Sequence, residues 1–304
     1  LTAGGYVLRS FTVPTDLFLA LGLHSRSFAS SDYFPLLPNL GWFLLGAVIG
    51  KTAYREKKAR VASPAGALRR REFARFLGSP TYMLNCGLGS VIGVAFAGFL
   101  LIRNSWAYEN LSVLSEAVGI GIPRFAPIAA AAVCMILSTI AITAPSVSLE
   151  GRTIWLSQSL PVTPWQVLRA KLAVHLWVGG IPALLCGVAV AAALRLPFPT
   201  AVMTVILPLL FTLLQACFGL FVNLLHPNLT WVSEMTPIKQ SLGVLFSLLG
   251  GWGYAALLGV GGYFLTVPVP AWVALLALNL LTALLSLLLL RWLKGRGARI
   301  FATL

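Results

Sequence analysis

Five long stretches without Asp, Glu, Lys or Arg are the feature that most restricts what this chain can fold into. The longest runs from residue 240 to residue 290, whereas a helix needs about 20 apolar residues to cross a bilayer. Only 10% of the 304 residues are charged, against about a quarter in ordinary soluble domains, so polar groups cannot cover the surface. We therefore predict an integral membrane protein, which excludes a soluble enzyme, a disordered chain and a secreted disulfide scaffold.

The charge-free stretches also predict the number of membrane-spanning helices. Each of the three shorter ones holds one helix, and the fourth holds one helix followed by a polar loop. The longest holds two helices, separated at Pro268 and Pro270 because proline interrupts a helix. The sequence therefore predicts an all-α, polytopic membrane helix bundle with six spans after residue 80. One further span is predicted before them, at 33–50. The five stretches are 76–102, 125–149, 172–194, 196–233 and 240–290.

The basic residues predict the orientation of the bundle. With alternating spans, seventeen Lys and Arg residues fall on one side and three on the other. The positive-inside rule assigns the basic side to the cytoplasm, which places the C-terminus there and makes the chain a multi-pass protein of the cell membrane. Because the bases collect at the ends of apolar runs, we do not expect a nucleic-acid partner.

We divide the chain into two parts. Residues 1–63 form an N-terminal piece with one span and a basic cytoplasmic linker, and residues 64–304 form a six-helix transmembrane domain. That domain opens with a short helix at 64–79, which we expect to lie in the membrane interface with aromatic rings toward acyl chains and guanidinium groups toward headgroups. The residues that define this interfacial elbow are Arg70, Arg71, Phe73, Arg75 and Phe76.

The connection at 146–171 carries the most informative pattern. Trp155, Leu156 and Leu160 recur at helical spacing, Pro161 ends that helix, and Thr163-Pro164 begins the next one. This pattern predicts a short, rigid cytoplasmic helix held between two spans. An ordinary connecting loop with aromatic residues at the interface is the alternative interpretation.

Three segments in this order resemble the type-two ABC exporter permeases. The connection resembles the first cytoplasmic loop of that family, the start of the domain resembles its elbow helix, and 223–241 resembles its second cytoplasmic loop. A basic stretch after the span at 33–50 is similar to the end of a first half, so the chain resembles the second half of a longer permease. The motifs are Ser148-Leu-Glu150-Gly151-Arg152, Trp155-Leu156, Ser159-Leu160-Pro161-Val-Thr163, Lys171, Arg71-Glu72-Phe73, Ser79-Pro80-Thr-Tyr82, Glu234 and Lys239-Gln-Ser.

The resemblance implies that this chain is the permease subunit of an ATP-driven exporter and not an enzyme itself. It also implies a cytoplasmic ATP-binding cassette subunit that carries ATP and Mg, a second permease half or a homodimer, and contact with membrane lipids. Glu234 and Lys239 would make a secondary cytoplasmic contact. The residues that would dock on the ATP-binding subunit are Glu150, Gly151, Arg152, Trp155, Leu156, Ser159, Leu160 and Pro161.

The chain shows none of the usual signatures of chemistry. It lacks a Gly-rich phosphate loop, its four cysteines form no CxxC pair, and we expect no catalytic residue, no metal and no cofactor bound by this chain. Two other classes stay open. One is a non-transporting membrane scaffold, and the other is an intramembrane lipid-modifying enzyme with Tyr108, Glu109 and Glu116 as candidate polar groups.

Overall fold

The computed structural model describes Gly46 and residues 63–119, 121–239 and 241–304 of the chain. The predicted span at 33–50 and the basic linker after it lie outside the described residues, apart from Gly46, which is helical. Ala62–Leu304 form one unit and Leu1–Val61 another.

The fold is all-α, as predicted, and the part of the chain that the structure describes contains no strand. Short polar residues begin several of the helices. Ser63 and Ser79 each accept a hydrogen bond from the first turn, and Thr163 forms a reciprocal capping box with Gln166. The helices are α1 (Pro64–Gly78), α2 (Pro80–Ile102), α3 (Asn104–Val118), α4 (Ala126–Ser138), α5 (Ile154–Gln158), α6 (Pro164–Ala193), α7 (Phe198–Leu225), α8 (Met235–Lys239), α9 (Leu242–Leu265), α10 (Ala271–Trp292) and α11 (Ala298–Thr303).

Five described helices are long and apolar enough to cross a membrane, so the chain is a multi-pass membrane protein. They are α2, α6, α7, α10 with its C-terminal extension, and α8 together with α9. The predicted sixth span is present only if α3 and α4 are counted as one broken span, and these two helices are bent by 104°. The described part of the bundle is therefore less regular than six straight helices.

The predicted helix at 125–149 is corrected by the structure. Helix α4 ends at Ser138, which leaves it about 20 Å long at about 1.5 Å per residue. The Ser138 and Thr139 hydroxyls donate back to the carbonyls of Met135 and Ile136 at 2.7 Å and 2.6 Å, and Pro145 cannot continue a helical ladder. Residues 140–150 are all buried, so the non-helical backbone at 140–147 is shielded by protein from the membrane.

Helices α6 and α7 form the centre of the bundle and pack closely against each other. A Cβ added at Gly187 of α6 would lie 2.9 Å from the Cα of Val205 in α7. Only glycine allows the two backbones to approach so closely, as in other tightly packed membrane helices. The close packing of α6 and α7 therefore fixes the central helix pair against which the other described helices are arranged.

Most of the described bases collect at one end of the bundle, which we call the basic end. It consists of α1, residues 146–163, residues 226–239 and the C-terminal helix. Cross-links join these parts: the Ser79 hydroxyl donates to Glu234 at 2.8 Å, and the Gln158 amide donates to the Phe301 carbonyl at 2.9 Å. The tertiary structure therefore brings together segments that are far apart in sequence.

Candidate functional site

A buried cluster of charges is the most distinctive polar feature of the described residues. The Lys171 ammonium lies 2.6 Å from Glu150 Oε1 and 3.0 Å from Glu72 Oε2. Arg75 Nη1 lies 2.9 Å from Glu150 Oε1, and Arg71 Nη2 lies 3.2 Å from the same oxygen. We call these five residues the Glu150 cluster. It joins three segments at the basic end, namely α1, the 146–157 region and α6.

Further hydrogen bonds complete the environment of the two carboxylates and the ammonium. The Ser157 hydroxyl donates to Glu150 Oε2 at 2.9 Å, and Lys171 Nζ donates to the Ser146 carbonyl at 3.0 Å. The Lys171 side chain is 0% exposed and that of Glu150 is 2% exposed. Buried ions persist only when they are paired and hydrogen-bonded in this way.

The local backbone explains how Glu150 reaches the interior. Gly151 has φ of +54° and ψ of −142°, a conformation that is essentially confined to glycine. A Cβ there would also lie 3.2 Å from the Trp231 ring. The turn at Gly151 leaves Glu150 buried while Arg152, the next residue but one, is exposed. The turn in the Leu-Glu-Gly-Arg sequence thus directs the Glu150 carboxylate into the protein and leaves the Arg152 guanidinium at the surface.

The remaining members are placed by two helices. On α1, Leu68, Glu72 and Phe76 are buried and lie four residues apart, so they form one face of the helix. Lys171 lies in the second turn of α6, which begins at the Thr163 capping box. Helix α1 is therefore bound to the bundle through a stripe of two apolar residues and one carboxylate.

Electrostatics favour the charged forms of Glu150 and Arg75. Lys171 and Arg75 hold the pKa of Glu150 well below its usual range, and this outweighs the opposing effect of burial. The pKa of Arg75 is raised because its hydrogen bond to Glu150 and the two nearby carboxylates outweigh its desolvation. With three cations around two carboxylates, the cluster has an excess of one positive charge. Glu150 is consequently a fixed anion and not an available proton acceptor.

The lowered pKa of Glu150 makes stability dependent on acid. A carboxylate with a lowered folded-state pKa adds stability above its unfolded pKa of about 4.3, and that stability is lost as the pH falls toward the folded pKa. We expect the free energy of unfolding of the wild type to fall by up to about 1.4 kcal/mol per pH unit below pH 4 from this group. Unfolding in detergent should be followed from pH 7 to pH 3. Glu150→Gln should remove this part of the slope, and an unchanged slope would contradict the assignment.

A second set of buried hydrogen bonds, made by Asn223 and Trp231, holds the buried 140–150 segment in place. The Asn223 side chain, 0% exposed, accepts hydrogen bonds from the Val147 and Ser148 N–H groups at 2.7 Å and 3.1 Å and donates to the Ser148 hydroxyl at 2.7 Å. The Trp231 indole donates to the Ser148 carbonyl at 2.6 Å. These bonds pair the backbone groups of Val147 and Ser148, which are buried outside any α-helix.

The residues of the predicted docking element divide between the surface and the interior. The short helix predicted between the spans is present as α5, preceded by a 3-10 turn at Ser148–Thr153. Trp155 is 59% exposed. Glu150 and Gly151 are buried, in contrast to the exposed position that docking would require. The exposed members are Arg152, Trp155, Leu156, Ser159, Leu160 and Pro161.

The predicted elbow and the secondary contact are also located. The elbow helix has the predicted bounds within one residue, but Phe76 packs on Tyr82 with ring centroids 5.2 Å apart. Arg71 and Arg75 contact Glu150, whereas Arg70 is exposed. Glu234 and Lys239 are exposed at the basic end, where Glu234 accepts the hydrogen bond from Ser79.

Sequence reasoning did not assign functional roles to Glu72, Lys171 or Ser157. The available signal was that Glu150 and Lys171 directly adjoin charge-free stretches and that Glu72 lies four residues before one, where an unpaired charge would be costly to bury. Opposite charges at three such boundaries could have suggested one shared cluster. The described residues contain no group of three or more His, Cys, Asp or Glu side chains that could hold a metal.

The fold and this cluster define a multi-pass membrane helix bundle with a charge-paired end. Residues 1–84 match the family model described as heparan-alpha-glucosaminide N-acetyltransferase, catalytic. This match covers less than a third of the 304 residues. No curated protein and no solved structure matches the chain. Of the matched residues, the structure describes Gly46 and residues 63–84. Residues 63–84 contain α1 and the beginning of α2.

The family match corrects the exporter hypothesis. It is a match to an acetyltransferase family, so the predictions of an ABC permease, of an ATP-binding partner and of a role other than enzyme are wrong. The alternative of an intramembrane enzyme agrees better with it. The error has a physical cause. Charges at span boundaries, interfacial tryptophans and proline breaks arise in any multi-pass bundle, and they do not specify a partner.

Proposed function

We propose that this chain is an integral membrane acetyltransferase. The single observation that carries the proposal is the match of residues 1–84 to an acetyltransferase catalytic model. The name of that family specifies an α-glucosaminide as the acceptor, so we propose that the acceptor is the amino group of a glucosamine residue. The acetyl donor would be a thioester such as acetyl-coenzyme A, which is a substrate and not a resident cofactor.

The Glu150 cluster supports a link between the matched segment and the rest of the bundle. Arg71, Glu72 and Arg75 lie within the matched residues, whereas Glu150 and Lys171 lie beyond them. The described end of the matched segment is therefore fastened to α6 by buried ion pairs. We infer that the cluster positions this segment, since its carboxylates are already paired and do not serve as a general base.

The proposed reaction is a simple acyl transfer. The lone pair of the acceptor amine attacks the acetyl carbonyl carbon, a C–N bond forms, and the C–S bond of the thioester breaks. The proton lost from nitrogen balances the thiolate, so an amine and a thioester give an amide and a thiol. Membrane enclosure would exclude water, which otherwise hydrolyses the thioester.

The basic end would face the cytoplasm of the cell membrane. With alternating spans the sequence assigns seventeen bases to one side and three to the other, which supports this orientation through the positive-inside rule. The C-terminal helix belongs to the basic end and would be cytoplasmic as well. In this proposal residues 1–63 form the N-terminal piece, and residues 64–304 form the transmembrane domain.

The test is acetyl transfer by the purified full chain in lipid nanodiscs. The chain is incubated with acetyl-coenzyme A carrying a labelled acetyl group and with a glucosamine-terminated oligosaccharide, and mass spectrometry measures the labelled amide. We expect a product that requires the chain, the donor and a free amine, at least tenfold above empty nanodiscs. An oligosaccharide ending in N-acetylglucosamine is the matched control, because its nitrogen is already acylated.

The outcome decides between two classes of protein. Formation of the labelled amide supports the acetyltransferase. A chain that is folded, as judged by a cooperative thermal transition, but acetylates no amine acceptor contradicts the proposal and favours the membrane scaffold.

A further inference from the structure

A cavity of about 460 Å³ lies at the basic end, beside α1 and α6 and against α7 and α10. It is separate from the Glu150 cluster, none of whose five residues lines it. Two arginines, Arg69 of α1 and Arg169 of α6, contribute to its wall, together with the indole rings of Trp165 and Trp177. The other side chains of the wall are mainly apolar. The cavity therefore combines two cations with a hydrophobic surface.

Among the described residues, neither arginine has an acidic partner. Over residues 63–119, 121–239 and 241–304, no carboxylate forms an ion pair with Arg69 or Arg169. The polar contact of the Arg69 side chain is a long hydrogen bond, 3.4 Å, from its Nε to the Ala65 carbonyl. By contrast, Arg71, Arg75 and Lys171 are all occupied by Glu72 and Glu150. Two guanidinium groups at this cavity are thus free to bind an anion.

The apolar wall extends from the arginines toward the middle of the membrane. Arg169, Ala173, Leu176 and Trp177 follow one another along α6, and Arg169 and Trp177 are separated by about 12 Å at about 1.5 Å per residue. Trp177 is 61% exposed within a helix that crosses the membrane. A large apolar ring with this exposure faces acyl chains and not water.

We propose that this cavity is a binding site for one anionic phospholipid. The phosphate lies between Arg69 and Arg169, and an acyl chain follows the wall from Ala173 to Trp177. The charge pattern selects this occupant. A small soluble anion would leave the apolar wall uncovered, and a zwitterionic lipid would bring an ammonium group close to two unpaired guanidinium groups. Basic pockets at this depth of a helix bundle suit anionic headgroups.

The test is lipid binding by the full chain in detergent, measured by native mass spectrometry with phosphatidylglycerol and phosphatidylcholine. We expect wild type to bind phosphatidylglycerol on the order of tenfold more tightly, and Arg69→Gln with Arg169→Gln to lose about that factor. Arg296→Gln with Arg299→Gln is the matched control. It removes two exposed arginines from the same end that do not line the cavity, and it should bind as wild type does.

A second variant separates the cavity from its charges. Ala173→Phe fills the apolar wall and leaves both arginines in place, and it should also weaken phosphatidylglycerol binding while the thermal transition stays within a few degrees of wild type. Equal binding of the two lipids by wild type, or undiminished binding by the Arg69 and Arg169 double variant, would overturn the proposal. Displacement of the lipid by inorganic phosphate or acetyl-coenzyme A at micromolar concentration would also overturn it, because the site would then belong to a soluble anion. None of these results depends on acetyl transfer.

Discussion

Replacing Glu150 with glutamine is expected to lower the free energy of unfolding by about 3–5 kcal/mol. The carboxylate accepts from Lys171, Arg71, Arg75 and Ser157, and glutamine keeps its shape while removing its charge. Three cations then surround a single carboxylate, and one of them, the Lys171 ammonium, is 0% exposed. Unfolding in mixed micelles by increasing denaturing detergent measures the change.

Glu234→Gln is the matched control for this prediction. Glu234 lies at the same end, is exposed and makes one hydrogen bond to Ser79, so its replacement should cost less than about 1 kcal/mol. Adding Lys171→Met to Glu150→Gln restores the net charge of the cluster to one excess cation, and it should recover part of the loss. Equal losses for Glu150→Gln and Glu234→Gln would show that the buried cluster does not stabilise the fold.

Replacing Asn223 with leucine is expected to destabilise the bundle by about 2–4 kcal/mol. Leucine fits the volume but leaves the N–H groups of Val147 and Ser148 without the acceptor that they have at 2.7 Å and 3.1 Å. Each buried donor left unpaired costs about 1–3 kcal/mol. The same unfolding measurement applies, and proteolysis within 139–147 should increase because this segment has few helical hydrogen bonds of its own.

Asn279→Leu provides the comparison at another buried asparagine. The Asn279 amide donates to the Met203 carbonyl at 3.0 Å, but its Oδ1 is buried without a partner. Leucine therefore removes an unsatisfied oxygen along with one hydrogen bond, and the change should stay within about 1 kcal/mol. If both variants lose the same stability, the loss comes from removing any buried amide and not from the bonds to Val147 and Ser148.

Much of the membrane architecture follows from one-dimensional patterns. The charge-free stretches 76–102, 172–194 and 196–233 each correctly predicted one spanning helix, namely α2, α6 and α7. They did so because a span must exclude charge along most of its length. The prolines at 268 and 270 correctly separated α9 from α10. The stretch at 125–149 misled the prediction because hydropathy does not register a helix that ends early and is then shielded by neighbours. The backbone N–H of Ala141 bonds to the Cys86 carbonyl of α2 at 3.2 Å, a contact across the fold.

The functional prediction failed for a different reason. Interfacial tryptophans, boundary charges and proline breaks describe how a bundle meets the membrane surface, and many unrelated membrane proteins need them. They produced a family resemblance that the match over residues 1–84 contradicts. The alternative of an intramembrane enzyme agrees better with that match. Its candidate residues, Tyr108, Glu109 and Glu116, lie outside the matched residues 1–84. Tyr108, for example, packs beneath the Arg195 guanidinium at 4.1 Å, at the end opposite the basic end.

By itself the sequence determined that the chain is helical, crosses a membrane several times and collects its bases at one end, since these properties depend on composition along each stretch. Only the tertiary structure decided which charges are free. Arg69 and Arg71 lie two residues apart on one helix, yet Arg71 is paired with Glu150 while Arg69 faces a cavity that no carboxylate of the described residues lines. Coulomb and desolvation energies depend on the distance between charges and on their burial. Here both are fixed only when segments about 80 to 100 residues apart in sequence pack together.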